Sequence, residues 1–566
     1  MASRFEGPIH GSGHPVDSVN VDSVNADFVN MGYEAVDRQV ERGLGGMAAL
    51  RFIDVAGRVQ DLSYGELADQ SSRFSRVLRD HGVGHEALVY VLAPRVPLAY
   101  VAMLGALKAG CGIAPLFSAY GPEPIRQRLA AGPARVLVTS AHLYATKVAA
   151  ARPADLDHVW LLDDEEVPGT RILQPMLDAA TSDEGPYPTT AEDLAIVHFT
   201  SGTTGTPKGA VHLHRAVQGH ISTARSILGL SQGDRYWCTA DPGWVTGTSY
   251  GLIAPLACGA TSIVDAGEFD ARRWLGILAG QRIQVWYTSP TALRMLRSAG
   301  ASVLAGHDLS ALRHVASVGE PLNPEVIEWG SRALGRIVHD TWWQTETGSI
   351  MIANRPGMPV RPGSMGRPVE GIEIGLVRHG EDGERLLADG HPVLVDDPVE
   401  PGEIAIRTPW PSLMRGYLND PDRTQACFAD GWYLSGDMAR IDADGYVWFL
   451  GRGDDVIKTA GHLIGPFEVE SVLLEHPAVA EAGVVGLPDP LIGESICAAV
   501  TLQPEYQPSE VLAGEIRAHA RTRLGPAVAP RRIEFIGELP HTQSGKILRR
   551  QIREHLAANS VTAATA

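Results

Sequence analysis

A chain of 566 residues is longer than a single hydrophobic core needs, so two or more domains are expected, one of them large. Lys and Arg total 48 against 66 Asp and Glu, a formal net charge of −18, which argues against a nucleic-acid-binding surface as the main business. An anionic ligand must therefore be met by a local positive site.

In chain order, the first feature is a short repeat, "VDSVNVDSVNADFVN" at 16–30, whose five-residue units are too short for a solenoid. Residues 1–30 are expected to form a disordered leader. From 31 to 451 apolar runs such as "ALVYVLA" and "ARVLVT" alternate with helix-like stretches such as "YGELADQSSRFSRVLRDHG". That pattern predicts an α/β fold, a large N-terminal domain of mostly parallel sheets covered by helices. The segment 379–403 is turn-rich and acidic, and the strand-like runs after it carry a "DADGY" hairpin signal at 442–446, predicting a β-rich subdomain. "GRGDD" at 451–455 reads as a joint, with the hinge at 452–456. Residues 457–566 carry their own patterns ("EVESVLLEH", "EAGVVGL", "SICAAVTL", "VLAGEIRAHARTRLG"), as a small mobile α+β C-terminal domain would.

Cys111, Cys238, Cys258, Cys427 and Cys497 are widely spaced, odd in number and without a CxxC, which suits reduced core thiols in a cytoplasm. No apolar run of about 18 residues is long enough to span a bilayer, and no basic-then-apolar leader opens the chain. A cytoplasmic enzyme is expected.

The stretch "HFTSGTTGTPKGAVH" (198–212) follows an apolar run, "LAIVHF", and precedes a helix-like one, "HRAVQGHISTARSIL", so the loop is expected between strand and helix. It is not a Walker loop: counting from Gly202 the sixth position is Pro207, and Lys208 is followed by Gly209. Gly202 and Gly205 let the backbone turn so that amides converge. Thr200, Ser201, Thr203, Thr204 and Thr206 add hydroxyl donors, and Lys208 adds charge. A surface linker has a similar composition, but a loop of this kind can also wrap a triphosphate.

"TSGTTGTPKG" resembles the phosphate-loop signature of the adenylate-forming superfamily of acyl-CoA synthetases, luciferases and adenylation domains. "SVGEP" (317–321), "DTWWQTETG" (340–348), "YLSGDMARIDADGYVWFLGRGDD" (433–455) and "PHTQSGKILRR" (540–550) resemble its later motifs in the same order, and the likeness covers nearly everything after residue 30. "ADPGWVTGTSYGLIAPLACGAT" (240–261) and "DTWWQTETG" look most like the short AMP-forming acetyl-CoA synthetases. The resemblance implies an acid–thiol ligase that joins acetate to CoA through an acyl-adenylate, with ATP and CoA as co-substrates and Mg²⁺ as cofactor.

Two anions must then approach while diphosphate leaves, so charge screening is the main catalytic demand. By resemblance, Lys546 in "SGKILRR" neutralises carboxylate and phosphate oxygens, Glu346 helps hold Mg²⁺, and Thr345 bonds the α-phosphate. Gly319, Glu320, Pro321, Asp340, Thr341, Trp342, Trp343 and Gln344 surround the nucleotide. Asp437 accepts the ribose hydroxyls, with Arg452 as a charged contact, although a buried ion pair would equally account for that pair. Trp343, with Val245, Thr246 and Val318, walls a small acyl pocket; two core tryptophans would look the same. Such a pocket prefers acetate and lets propionate leak through, because one methylene is worth only about 1–3 kcal/mol.

For the second half-reaction the family rotates its small domain about a hinge, here Asp454, so that two conformations serve two reactions. Gly461 matches the glycine of the pantetheine tunnel, His462 adjoins it, and Arg521 fits a position contacting a CoA phosphate. His476 resembles a minor metal position. Acetyl-CoA synthetases usually carry Arg two residues after the tunnel glycine, where this chain has Leu463. Lys458 resembles the lysine of coumarate-type ligases and is expected to replace that charge. Resemblance also suggests a lysine acetyltransferase and deacetylase acting on Lys546, since acetylation removes its charge. Two other readings remain: a ligase for propionate or a small substituted acid, and an adenylation enzyme that loads a separate carrier protein.

Overall fold

Strands buried on both faces must be apolar throughout, and this requirement accounts for the first sheet. The computed structural model describes residues 28–200, 207–380, 384–397, 400–453, 455–459, 462–489, 492–526, 528–541 and 547–564. Helix α1 (Tyr64–Asp80) opens with a capping box: Ser63 Oγ accepts from the Glu66 N–H while the Glu66 carboxylate accepts from the Ser63 N–H. Its Leu67, Phe74, Val77 and Leu78 are buried. Strand β1 (Leu88–Leu92) pairs in parallel with β2 (Gly112–Leu116) and β3 (Ala134–Thr139), as the alternation predicts.

The loop, however, does not join a strand to a helix. Strand β4 (Leu194–Thr200) turns back on β5 (Lys208–Leu213) as an antiparallel hairpin, with Thr200 opposite Lys208, and helix α2 begins only at Ala216 and runs to Ser226. "KGAVHL" buries Gly209, Ala210, His212 and Leu213 against the sheet, and this burial holds it as a strand. Residues 200 and 208 thus end and begin two antiparallel strands, and a strand, not a helix, follows the loop directly.

Among the described residues, this first sheet has eight strands. A second, nine-stranded sheet includes β6 (Val285–Thr288), β7 (His314–Ser317) and β8 (Val338–Trp342) side by side in parallel. The largest buried cluster draws on both sheets, from Val89, Val91 and Ile113 to Tyr236, Val285 and Tyr287, so the main core lies between them. The β-rich subdomain is a five-stranded antiparallel sheet built on β9 (Trp432–Ile441) and β10 (Val447–Arg452). The "DADGY" turn joins them: Asp442 Oδ1 accepts from the Asp444 and Tyr446 N–H groups, and Gly445 takes a φ of 79°.

After β10 come the short hairpin β11 (Ile457–Thr459) and β12 (His462–Ile464), helix α3 (Pro466–Leu474), the long hairpin β13 (Val479–Asp489) and β14 (Gly493–Leu502), helix α4 (Glu510–Leu524) and helix α5 (Arg549–Ala564). They enclose a core of their own, including Ile457, Val469, Val484, Val500 and Ile516. Among the described residues no helix is long and apolar enough to cross a membrane. The cysteines are free, and all but the half-buried Cys427 are buried.

Residues 28–30 of the expected leader segment are packed. The Val29 N–H donates to Thr189 O at 3.0 Å, and buried Asn30 donates through Nδ2 to Leu107 O at 2.9 Å. Nearby, the Lys108 ammonium is buried and sits 2.7 Å from Asp37 Oδ2. Removing one partner strands the other charge in a dry site. Asp37→Ala should therefore lower stability by about 3 kcal/mol in urea melts, and adding Lys108→Met should recover most of that loss.

Candidate active site

The hairpin β4–β5 holds Thr200 and Lys208 opposite each other at the mouth of the loop. Ser201, Gly202, Thr203, Thr204, Gly205 and Thr206 lie outside the described residues. Lys208 Nζ stands 5.4 Å from the centroid of the Tyr417 ring, and the Tyr417 hydroxyl donates to Glu346 Oε1 at 2.7 Å. One tyrosine thus separates the cation of the loop from the carboxylate of "QTETG". The Glu346 backbone is also tied down, its carbonyl accepting from the Met414 N–H.

Two histidines brace this turn from behind. His212 Nδ1 lies 3.2 Å from Ser412 O, and His220 Nε2 lies 3.0 Å from Gly348 O. Both are buried, and burial pulls their pKa values down to about 4 and about 3, so they are neutral near pH 7. Gly348 has a φ of 72°, and a Cβ there would fall 2.2 Å from Ser412 O. Only glycine fits this position.

Asp437 is the hub of the nucleotide side. It faces Arg452 across β9 and β10, and its Oδ1 accepts from Arg452 Nη1 at 3.0 Å. Its Oδ2 accepts from Trp342 Nε1 at 2.9 Å and from Gln344 Nε2 at 2.8 Å. Gln344 Oε1 in turn accepts from the Tyr433 hydroxyl at 2.7 Å. The ion pair exists, so the structural account of Asp437 and Arg452 holds whether or not a ribose binds there.

At the adenine segment, Ser317 Oγ and the Thr341 N–H both donate to Asp340 Oδ1. Burial nevertheless pushes this carboxyl up to about 7, since these bonds and one from the Leu322 backbone do not replace full hydration. The Glu320 carboxylate is committed elsewhere: Arg294 reaches it at 2.6 Å and Thr291 at 2.8 Å. Gly319, Glu320 and Pro321 could thus meet a base through backbone and ring atoms, with the Glu320 charge already paired. Arg294 also donates to Asn323, whose Nδ2 donates to Ser471 Oγ on α3, linking this segment to the small domain.

Trp343, Val318 and Val245 belong to one apolar cluster, the first two buried and the third at its margin. Thr246 lies beside it, its carbonyl 3.9 Å from Cys238 Sγ. Trp343 Nε1 donates to the Tyr287 hydroxyl at 3.0 Å, and Tyr250 meets the indole edge-on at 5.1 Å.

In the small domain, the register places Lys458 directly opposite Leu463 and Thr459 opposite His462. The exposed Lys458 has its backbone N–H on Glu494 Oε2 at 2.7 Å. Arg521 is exposed in the last turn of α4. His476 Nδ1 accepts from the Ala478 N–H, and among the described residues no group of three His, Cys, Asp or Glu side chains is placed to hold a metal ion. Asp454, Gly461 and Lys546 lie outside the described residues.

Three positions at this site carry no sequence signal. Tyr417 reaches Glu346 from 71 residues away, and Tyr287 reaches Trp343 from 56. The third is Glu403, at the end of the acidic segment. It is buried and accepts from His379 Nε2 at 2.9 Å, from Arg385 Nε and Nη2 at 2.7 Å, and from the Gly436 N–H at 2.7 Å. Gly436 precedes Asp437, and its carbonyl accepts from the N–H of Gly453, which lies within the expected hinge.

Residues 36–418 match the AMP-binding enzyme family, and residues 468–546 match the AMP-binding enzyme C-terminal domain. The chain belongs to the AMP-binding enzyme family. This AMP-binding enzyme is 43% identical over 527 residues to the acetyl-coenzyme A synthetase of Bacillus subtilis (strain 168), covering 92% of this chain and 89% of that protein. Among solved structures it is similar to a Brucella canis acyl-CoA synthetase at 35% identity and a TM-score of 0.71, over 95% of this chain and 96% of that one. An anthranilate CoA ligase in complex with anthranoyl-AMP gives 28% identity and a TM-score of 0.83, over 94% and 98% of the two chains.

In this AMP-binding enzyme the partners of Glu403 outweigh its burial and hold its carboxyl at about 2, below the usual 4.5. A depressed carboxyl stabilises the fold above about pH 4.5, and that contribution fades as pH falls toward 2. Glu403→Gln should therefore cost about 3 kcal/mol at pH 7 in urea melts, with the gap from the unaltered protein closing below pH 4.5.

Proposed function

We propose that this protein is an AMP-forming acetate:CoA ligase. An acetate oxygen attacks the α-phosphorus of ATP, forming the O–P bond of an acyl-adenylate while the bond to diphosphate breaks and diphosphate leaves with the electron pair. The CoA sulfur then attacks the acyl carbon, the C–S bond forms, AMP departs, and the thiol proton is lost to solvent. The full-length relationship to acetyl-coenzyme A synthetase supports the reaction. The observation that carries a small acid is Trp343, buried, hydrogen-bonded to Tyr287 and part of the same apolar cluster as Val318, with Val245 at its margin.

In this reading, charge screening falls to residues of the family's motifs. The loop Thr200–Thr206 and Lys208 meet the triphosphate, Thr345 meets the α-phosphate, Lys546 approaches from the small domain, and Asp437 and Arg452 hold the ribose side. Magnesium fits the donor set. Tyr417 takes Glu346 Oε1, a carboxylate has a second oxygen to offer, and Mg²⁺ is commonly held by one or two carboxylates together with phosphates and water. Bound there, the ion would neutralise phosphate charge; Glu346 would hold it, and Tyr417 would hold Glu346.

We place the large domain at 31–451, a hinge at 452–456 around Asp454, and the small domain from 457. In this scheme the small domain presents Lys546 for adenylation and the region of Gly461, His462 and Arg521 for CoA. Buried free thiols accord with a reducing cytoplasm. Acetylation of Lys546 by a lysine acetyltransferase would remove the screening charge.

The test is CoA-dependent release of AMP and diphosphate from ATP with acetate, propionate and butyrate. Turnover should be strongest with acetate and fall by about two orders of magnitude by butyrate. It should be lost in Lys546→Ala and in Lys546→Gln, the latter standing in for the acetylated side chain. Equal turnover of all three acids would overturn the acetate assignment.

Direct opposition of positions 458 and 463 in β11–β12 favours the transfer of one phosphate contact from an arginine at 463 to Lys458. Lys458→Ala should raise KM for CoA or ATP about tenfold, equivalent to about 1.4 kcal/mol, with Leu463→Arg tolerated. An unchanged KM for both in Lys458→Ala would refute the exchange.

A further inference from the structure

We propose that Tyr287 is a specificity-determining positioning residue, whose hydroxyl fixes the indole of Trp343 and thereby sets the size of acid accepted. The inference rests on the reading of Trp343 as the acyl-pocket wall. An indole N–H only donates, so at 3.0 Å Trp343 Nε1 gives its hydrogen to the Tyr287 oxygen. The Thr341 hydroxyl lies 2.8 Å from the same Tyr287 oxygen and 2.7 Å from the Ser317 carbonyl oxygen. A carbonyl only accepts, so the Thr341 hydrogen goes to Ser317, and Tyr287 must donate to Thr341. The chain therefore runs one way, from Trp343 through Tyr287 and Thr341 to the backbone of Ser317.

Every member is buried, and each link is the partner the next one needs. Turning the indole would leave its N–H without an acceptor in a dry core and take from the Tyr287 oxygen the hydrogen bond it accepts, although Tyr287 would still donate to Thr341. Dispersion alone holds a large ring less uniquely, since apolar contacts have no direction. Tyr250 supplies such a contact, its ring edge-on to Trp343 while its hydroxyl serves Thr223 and the Ile350 N–H elsewhere. The chain ends at Ser317, next to Val318 of the pocket and bonded through Oγ to Asp340. The position of the acyl wall is thus tied to the strand edges that face the nucleotide.

The experiment measures kcat/KM for acetate and for butyrate in the full-length enzyme and in three variants. Tyr287→Phe keeps the ring and removes the hydroxyl, and the acetate-to-butyrate ratio should fall by about tenfold, the scale of one methylene of discrimination. Tyr250→Phe removes a buried hydroxyl of similar environment from the neighbouring ring and should leave the ratio unchanged, so a general loss of stability is separated from a loss of selectivity. Trp343→Ala should lower the ratio most. An unchanged ratio in Tyr287→Phe with a lowered one in Trp343→Ala overturns the role of Tyr287 and leaves the pocket wall standing. An unchanged ratio in Trp343→Ala overturns the wall itself. Should Tyr287→Phe fail to fold, Thr341→Val breaks the same chain at its next link and should lower the ratio in the same direction; an unchanged ratio there overturns the inference.

Discussion

The Asp437 carboxylate ties together parts of the chain that lie far apart in sequence. Arg452 reaches it from the neighbouring strand of the β-rich subdomain, while Trp342 and Gln344 reach it from the end of a parallel strand in the large sheet. A buried carboxylate is tolerable only when its oxygens are occupied, so these partners are obliged to stay. Their staying fixes the angle between subdomain and sheet. Glu403 repeats the device beside it: Arg385 and His379 occupy its carboxylate, which in turn anchors the amide of Gly436, the residue before Asp437.

The phosphate side follows another rule. In a chain with a net charge of −18, positive charge close to a polyphosphate has to be concentrated locally, and neutral groups serve as the backing. His212 and His220, buried and uncharged, support the turn that carries Thr345 and Glu346 without adding charge of either sign. Tyr417 stands between Lys208 and Glu346, its ring under the ammonium and its hydroxyl on the carboxylate.

Local chemistry explains what could be read from the sequence. "LVYVL" and "ARVLVT" announce buried parallel strands by composition, Ser63 and Glu66 announce a helix start, and "DADGY" announces a turn; each is decided within a few residues. The phosphate loop was visible as a loop, but its setting was misread, because "KGAVHL" becomes a strand only by pairing with β4. Tyr417, Tyr287 and Glu403 escaped notice for the same reason: their partners lie far off in sequence, and no spacing rule reaches that far. Glu320 belongs with them: its motif places it near the expected nucleotide, but the pairing of its carboxylate with Arg294, 26 residues away, has no local signal.

A loop at the tip of a hairpin inherits the arithmetic of a sheet. Side chains alternate between faces with a period of two, so a slip of one residue between β4 and β5 would carry Lys208, Ala210 and His212 to the face that now holds Gly209, Val211 and Leu213, with different neighbours to pack against. Changing a hydroxyl for a glycine within the tip leaves that count intact, whereas deleting any one residue strains or shifts the pairing. Such a loop can vary in composition over evolutionary time while its length stays frozen, and the freezing comes from the sheet below it, independently of the ligand above.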